Sequence, residues 1–215
     1  MAKTDDITTD YKQKVRDWHD KYAEEYDHSL DSRYDSLLAL NLEGKTLINF
    51  GSGSGVDTLA FLDKAMTIVG LDFSSLMIEE ANKKNVSAKA IFRECDFTKS
   101  LQYYNCFDIA YSFSTLYYVK DVLPVLENMQ KALLPNGYAV IEMANESNLV
   151  CSKWDKSLFD VPQFHLSVKK MLELFQKAGF RVINQKRYKL HPFSNKEVKV
   201  FKDFAYKIVW VLQKC

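Results

Sequence analysis

Apolar side chains recur along residues 10–27 at Tyr11, Val15, Trp18, Tyr22 and Tyr26, at spacings of 4, 3, 4 and 4. That period lays an aromatic stripe along one face of a helix. A short second helix is expected over 31–40, ending in Leu37, Leu38 and Leu40. From Lys45 the pattern changes. Residues 45–50 (KTLINF) form an apolar run of strand length, 51–55 a glycine-rich turn, 56–64 a helix, and 66–71 (MTIVGL) the next strand. Residues 74–85 predict a helix capped by Ser74 or Ser75, with glutamates early and lysines late, the order the helix dipole favours. Strands are expected at 88–94, 107–113 and 137–143, with a helix over 121–134 between the last two. A helix over 167–178 ends at Gly179, and two β-rich runs follow, 180–190 and about 204–213.

Apolar strands alternating with helices imply an α/β fold, a doubly wound and mostly parallel sheet covered on both faces. Seven strands are counted. The last two have no helix between them, so an antiparallel hairpin is expected at the C-terminal edge. No repeat, low-complexity tract or Pro/Gly-rich linker interrupts the chain, which contains four prolines. One domain over 1–215 is therefore expected: an N-terminal helical cover (1–42), a core (43–144), a connecting segment (145–166), and a helix with the terminal hairpin (167–215).

Composition narrows the class. No apolar run reaches the ~18 residues a membrane-spanning helix needs. The start, MAKTDDITTDYKQ, is polar and acidic, without a signal-peptide core, so a cytoplasmic protein is expected. The four cysteines, Cys95, Cys106, Cys151 and Cys215, form no CxxC and have no histidine at ligand spacing, so no metal site is expected. Net charge is +1 but unevenly spread. Residues 1–149 hold 15 Lys+Arg against 23 Asp+Glu, and residues 150–215 hold 14 against 5. A basic C-terminal segment suits an anionic substrate or partner, or merely solvates the outer face of the terminal elements.

Ligands of an open parallel sheet bind beyond the carboxyl ends of its strands, where the strand order reverses. The first strand exits into Asn49-Phe50-Gly51-Ser52-Gly53-Ser54-Gly55, whose glycines permit a tight turn against a ligand. The second exits at Asp72, 21 residues beyond Gly51, an acid able to accept both hydroxyls of a ribose. The third exits at Cys95-Asp96-Phe97, a carboxylate for an exocyclic amine beside an aromatic ring. Together these exits describe an adenosine site. A dinucleotide fingerprint would place a third glycine where this chain has Val56, which weakens a pyrophosphate reading.

The set resembles the class I S-adenosylmethionine-dependent methyltransferases, in their small single-domain branch, over roughly residues 15–215. The matching stretches are LINFGSGSG (47–55), VGLDFSSLMIEEA (69–81), ECDF (94–97), FDIAYSFSTLYYVKD (107–121), LLPNGYAVIE (133–142), HLSVKKMLELFQKAGF (165–180) and an N-terminal AxxYD element at 23–27. The resemblance implies a Rossmann-like sheet, S-adenosyl-L-methionine as cofactor, and a residue-by-residue site. Gly51, Ser52 and Gly53 would line the methionine part, and Asp72 would hold the ribose. Phe73 and Met77 would flank the adenine, Asp96 with Phe97 would meet its amine, and backbone at Ser112 and Phe113 would approach the amino group. Tyr22 or Tyr26 would cover the methionine end. The family's usual acid before the glycine turn is replaced by Asn49.

Transfer from a sulfonium requires mainly alignment of nucleophile and methyl carbon, with a base only where the acceptor starts protonated. The acceptor is expected between the N-terminal helix, the segment after the fourth strand, and 145–166. His165, Tyr118 and Tyr22 are the candidate catalytic side chains, with His19 and His28 as alternatives on the cover. Tyr117, Tyr118, Trp154, Phe164 and His165 are candidate acceptor contacts, and Phe159 could join the pocket wall. The fourth strand runs into Ser112-Phe113-Ser114-Thr115, not the Asp/Asn-Pro-Pro-aromatic motif of base-amine enzymes, and no catalytic Pro-Cys is present. A small-molecule acceptor, at nitrogen, oxygen or carbon and suited to negative charge, is therefore expected, without nucleic acid or membrane as partner. A macromolecular acceptor, RNA or protein, and a non-catalytic binding protein of the same fold stay open beside it.

Overall fold

The computed structural model describes residues 4–23, 32–146, 161, 163–188 and 207–215. Helix α1 spans Thr4–Lys21. A 3₁₀ turn (Ser32–Tyr34) leads into α2 (Asp35–Leu38), and the repeating core follows as β1 (Thr46–Phe50), α3 (Val56–Ala60), β2 (Thr67–Asp72), α4 (Ser75–Lys84) and β3 (Ala90–Glu94). Next come β4 (Phe107–Ser112), a 3₁₀ turn (Leu116–Tyr118), α5 (Leu123–Ala132) and β5 (Leu133–Ala144). The chain closes with α6 (Val168–Lys177), β6 (Phe180–Tyr188) and β7 (Lys207–Lys214).

Seven strands form one sheet in the order β3-β2-β1-β4-β5-β7-β6. Pairs β2–β3, β1–β2, β1–β4 and β4–β5 are parallel; β5–β7 and β6–β7 are antiparallel. The terminal strands pair antiparallel as the pattern implies, but β7 inserts between β5 and β6, so β6 becomes the edge. Its apolar run, Ile208 to Leu212, is buried, the inside position its composition demands.

Alternate residues of the central strands supply the two cores. Ile48, Phe50, Leu71, Ile141 and Trp210 face α5 and α6, where Trp210 meets Phe175 edge-on at 5.3 Å. Leu47, Ile68, Ile109, Tyr111 and Val140 face the other way, against Tyr34, Leu37 and Phe61. Caps set the helix boundaries. The Ser74 hydroxyl accepts the Met77 N–H to start α4, and Ser167 accepts the Lys170 N–H to start α6. Gly179, at φ 81°, ends α6 in the left-handed conformation.

Several element bounds depart from the pattern: the helix expected over 56–64 ends at Ala60, and the one expected over 31–40 is confined to Asp35–Leu38. Helix α1 begins at Thr4, ahead of the apolar stripe that marked residue 10, and Tyr22 and Ala23 already lie in the turn beyond it. Strand β5 starts at Leu133, not 137, because Pro135-Asn136-Gly137 is absorbed as an irregularity in its pairing with β4 instead of ending the strand. Tyr26, His28, Cys151, Trp154 and Phe159 lie outside the described residues. No described helix is long and apolar enough to cross a membrane.

Candidate active site

Strands β1, β2 and β3 end on one side of the sheet, next to the reversal of order between β1 and β4. Asp72, the last residue of β2, is buried there with both oxygens engaged. Oδ2 accepts the Gly53 N–H at 2.9 Å and Oδ1 accepts the Ser74 N–H at 3.0 Å. Burial pushes its carboxyl up, partly opposed by those two N–H groups and by nearby His19. The N–H groups of Gly51 and Ser52 both donate to the Leu71 carbonyl, at 2.8 and 2.9 Å. The glycine turn thus wraps the end of β2 and commits its first amides within the protein. A side chain at Gly51 would put Cβ 2.2 Å from Thr115 Oγ1, so only glycine lets the segment after β4 lie against this turn.

Asp96, just past β3, holds a second carboxylate on the same side. Its Oδ1 accepts the N–H and the hydroxyl of Thr98, at 3.2 and 2.6 Å, and its Oδ2 accepts from Lys12 Nζ at 2.9 Å. Burial alone would raise this carboxyl, but the Thr98 and Lys12 hydrogen bonds and the lysine charge hold it below the ordinary carboxylate value.

Helix α1 lies across these strand ends and is fastened to them repeatedly. Lys12 reaches Asp96 and Thr98, and Arg16 sits 5.5 Å from the Phe73 ring and 3.8 Å from Glu94. The Ser74 hydroxyl donates to Asp20. His19 meets Phe73 and Tyr118 edge-on at 6.4 and 5.0 Å. Beneath α1 is a cleft of about 560 Å³, counted with the space open to solvent. Its walls are Asp72, Phe73, Asp96 and Phe97 from the sheet edge, Thr115, Tyr118 and Val119 from the segment after β4, and Tyr11, Lys12, Val15 and His19 from α1.

Three comparisons bear on this site. Residues 41–179 match the sequence model of a methyltransferase domain, most of the chain. That match decides the family. The chain belongs to the S-adenosylmethionine-dependent methyltransferases. No curated protein matches it in sequence. Among solved structures, an S-adenosylmethionine-dependent methyltransferase from Mesorhizobium loti is similar at 18% identity, TM-score 0.70, covering 86% of this chain and 98% of its own. The magnesium protoporphyrin IX methyltransferase of Synechocystis, with S-adenosylhomocysteine bound, is similar at 15% identity, TM-score 0.67, covering 94% and 98%. The cyclase SpnF shares the fold at 15% identity, TM-score 0.64, covering 85% and 80%.

The methyltransferase's cleft fits an adenosyl group on its own chemistry. Two carboxylates, from adjacent strand ends, provide acceptors for a diol and an amine, and two aromatic rings stand beside them. Of the residues proposed for the cofactor, Asp72, Phe73, Asp96 and Phe97 line the cleft, and Gly51, Ser52 and Gly53 form the turn bonded to its floor. Met77 is buried behind that turn, its Sδ 4.0 Å from the point where a Gly53 Cβ would stand. Ser112 is buried with its hydroxyl donating to the Phe50 carbonyl at 2.7 Å, and the Phe113 ring packs on Tyr34 at 4.5 Å, in the core. Tyr22 stacks on Trp18 at 5.1 Å, with Lys21 over its ring, and does not line the cleft.

Of the residues proposed to contact the acceptor, Tyr118 lines the cleft and Tyr117 lies against it, ring centres 4.6 Å apart. The Phe164 N–H donates to the Tyr117 carbonyl at 2.6 Å, and its ring meets Tyr11 edge-on at 5.4 Å. His165 points elsewhere, with Nε2 3.4 Å from Gln163 Oε1, and is not among the cleft residues. Lys12, Thr98, Thr115 and Val119 also line the cleft, and the sequence pattern does not point to them. Tyr11 and Val15 were marked only as a helical stripe, and nothing in the local pattern singles out Lys12.

Asn49 carries no contact to the cleft. It is fully buried, donating to Thr58 Oγ1 at 3.0 Å and Asp57 Oδ1 at 3.4 Å. The carboxyl beside Asn49 is that of Asp57, on the first turn of α3. Burial pushes that carboxyl up from 3.8 to about 7.

Proposed function

We propose that this methyltransferase binds S-adenosylmethionine in the cleft under α1 and methylates a small molecule entering beside Tyr118. The observation that carries this reading is the pairing of Asp72 and Asp96 across one cleft between aromatic rings. Asp72 holds the ribose hydroxyls, Asp96 accepts the adenine amine, and Phe73 and Phe97 flank the base. The bound cofactor supplies a methyl already activated on sulfonium. The protein's task is alignment and exclusion of water.

The small-molecule preference rests on the roof. Tyr11, Lys12, Val15 and His19 roof the cleft, which suits a small acceptor better than a duplex or a folded protein. Two of the described cations of the basic C-terminal segment are engaged internally, Lys207 pairing with Glu142 at 2.7 Å and Lys214 donating to the Leu133 carbonyl at 2.7 Å, and none of the segment's described cations lines the cleft. They lend an anionic acceptor no particular support. Where the acceptor starts protonated, the proton has a place to go. His19 Nδ1 lies 2.8 Å from the Val15 carbonyl, which can only accept, so Nδ1 carries a hydrogen, and a ring without a second one would offer Nε2 as acceptor near Tyr118. Tyr118 and His19 are thereby better placed than His165 or Tyr22.

Calorimetry and thermal unfolding with S-adenosylhomocysteine test the reading without knowledge of the acceptor. At a hundredfold excess over Kd the wild type should gain about 3 kcal/mol, or about 5–10 °C in Tm. Asp72→Asn should weaken binding by about a hundredfold, because an amide loses the charge and can satisfy only one of the two backbone N–H groups now bonded to the carboxylate. Wild type that gains nothing at saturating ligand refutes the cofactor assignment. RNA binding that collapses with added salt would instead favour a macromolecular acceptor.

A further inference from the structure

Lys12 and Asp96 place a donor and an acceptor side by side at the rim of the cleft. Lys12 Nζ is 2.9 Å from Asp96 Oδ2 and 2.8 Å from Thr98 Oγ1. An ammonium has three hydrogens, and two are accounted for by these partners. Thr98 saturates the far oxygen, Oδ1, through its N–H and hydroxyl. Oδ2 retains a lone pair, so the cleft is offered one N–H and one carboxylate oxygen about 2.9 Å apart. Both side chains are about a quarter to a third exposed, open enough to receive a ligand.

The amino edge of adenine carries the complement: an exocyclic N–H₂ donor adjacent to the N1 acceptor. Resting on the adenosyl reading above, we propose that Lys12 is a specificity residue that donates to adenine N1 while Asp96 accepts the amine. The base is then read by a bridge between α1 and β3, so adenine recognition and seating of the α1 roof are one event. Hypoxanthine inverts the pattern, setting an oxo oxygen against the carboxylate and an N1–H against the ammonium. Lys99 is the natural control. It lies 3.7 Å from the same Asp96 oxygen, but its side chain is 78% exposed, so solvent screens it.

The test compares S-adenosylhomocysteine, its inosyl analogue and its 1-deaza analogue by calorimetry on wild type, Lys12→Met and Lys99→Met. Wild type should prefer the adenosyl over the inosyl compound by about a hundredfold and lose about tenfold on removal of N1, the worth of one charge-assisted hydrogen bond. Lys12→Met should bind the adenosyl compound about tenfold more weakly and no longer distinguish it from the 1-deaza analogue. Lys99→Met should match wild type within about twofold. Indifference of the wild type to the 1-deaza change overturns the proposal without reference to any variant. So does a Lys12→Met protein that keeps the N1 preference, which would assign N1 to another donor, or one that binds more tightly, which would make Lys12 a plug. If none of the three compounds binds wild type, the adenosyl reading itself fails and this inference falls with it.

Discussion

Replacing Asp57 by asparagine is expected to stabilise the fold by about 4 kcal/mol at pH 8. The Asp57 carboxyl is buried at the start of α3, and its affinity for a proton rises from 3.8 to about 7. Each unit is worth about 1.4 kcal/mol, so keeping this group ionised inside the fold costs about 4 kcal/mol. The sign follows from the native state binding the proton more tightly than the unfolded chain. The stabilising contribution is complete below about pH 4, declines as pH rises through 7, and is absent above it. Asparagine is neutral and nearly isosteric, and its carbonyl can still accept the Thr58 N–H, now 3.0 Å from Oδ1. Urea unfolding of both proteins at pH 5 and pH 8 checks this. The wild type should lose several kcal/mol between those values, and the variant much less, with the remainder left by Asp72, whose carboxyl burial also raises. Wild-type stability equal at the two pH values contradicts the expectation.

That carboxyl also explains where the sequence was legible and where it was not. The strands could be placed because β1, β2 and β4 are apolar on both faces, and few other structures tolerate such runs. Asp72 and Asp96 could be placed because strand ends fix them irrespective of side-chain packing. Asn49 and Asp57 could not, since they share a linear motif with the glycine turn but face away from the cleft. The period-two alternation of β1 sends Asn49 to the side opposite Ile48 and Phe50, toward Thr58.

The roof was half legible. An apolar stripe identifies the face of α1 that must be buried, and Tyr11 and Val15 do line the cleft. Farther along the stripe, Trp18 and Tyr22 turn to each other. The polar side chains that α1 gives the cleft, Lys12 and His19, lie elsewhere around the helix, seven residues apart and therefore on one face. A lysine and a histidine on a helix otherwise rich in charge carry no distinguishing pattern. Their roles come from partners 86 and 99 residues away, Thr98 and Tyr118.

Glu142→Ala is expected to cost about 3–5 kcal/mol and lower Tm by about 10 °C, an effect equally invisible in the linear sequence. Glu142, in β5, is wholly buried and accepts from Lys207 at 2.7 Å, Arg33 at 3.4 Å and the Ser114 N–H at 3.2 Å. Burial would raise this carboxyl, but the charges of Lys207 and Arg33, with hydrogen bonds from Lys207 and Ser114, hold it below its ordinary value. Its stabilisation is thus present above about pH 4.5 and lost as pH falls further, the opposite direction from Asp57 and in a separate window. Truncation leaves two cations, each mostly buried, with their shared counter-charge gone. Glutamine should recover part of the loss by keeping the hydrogen bonds without the charge. Thermal unfolding at pH 7 and at about pH 3 distinguishes these effects: Glu142→Ala and wild type should differ most at pH 7 and converge on acidification. The consequence reaches the cleft wall. Glu142 grips Ser114, held at φ 53°, and the chain continues directly into Thr115 and Tyr118 on the cleft wall, while Lys207 lies 5.1 Å from the Tyr117 ring. A buried ion cluster is a costly way to fasten a strand, and here it also fixes the segment that carries Tyr117 and Tyr118.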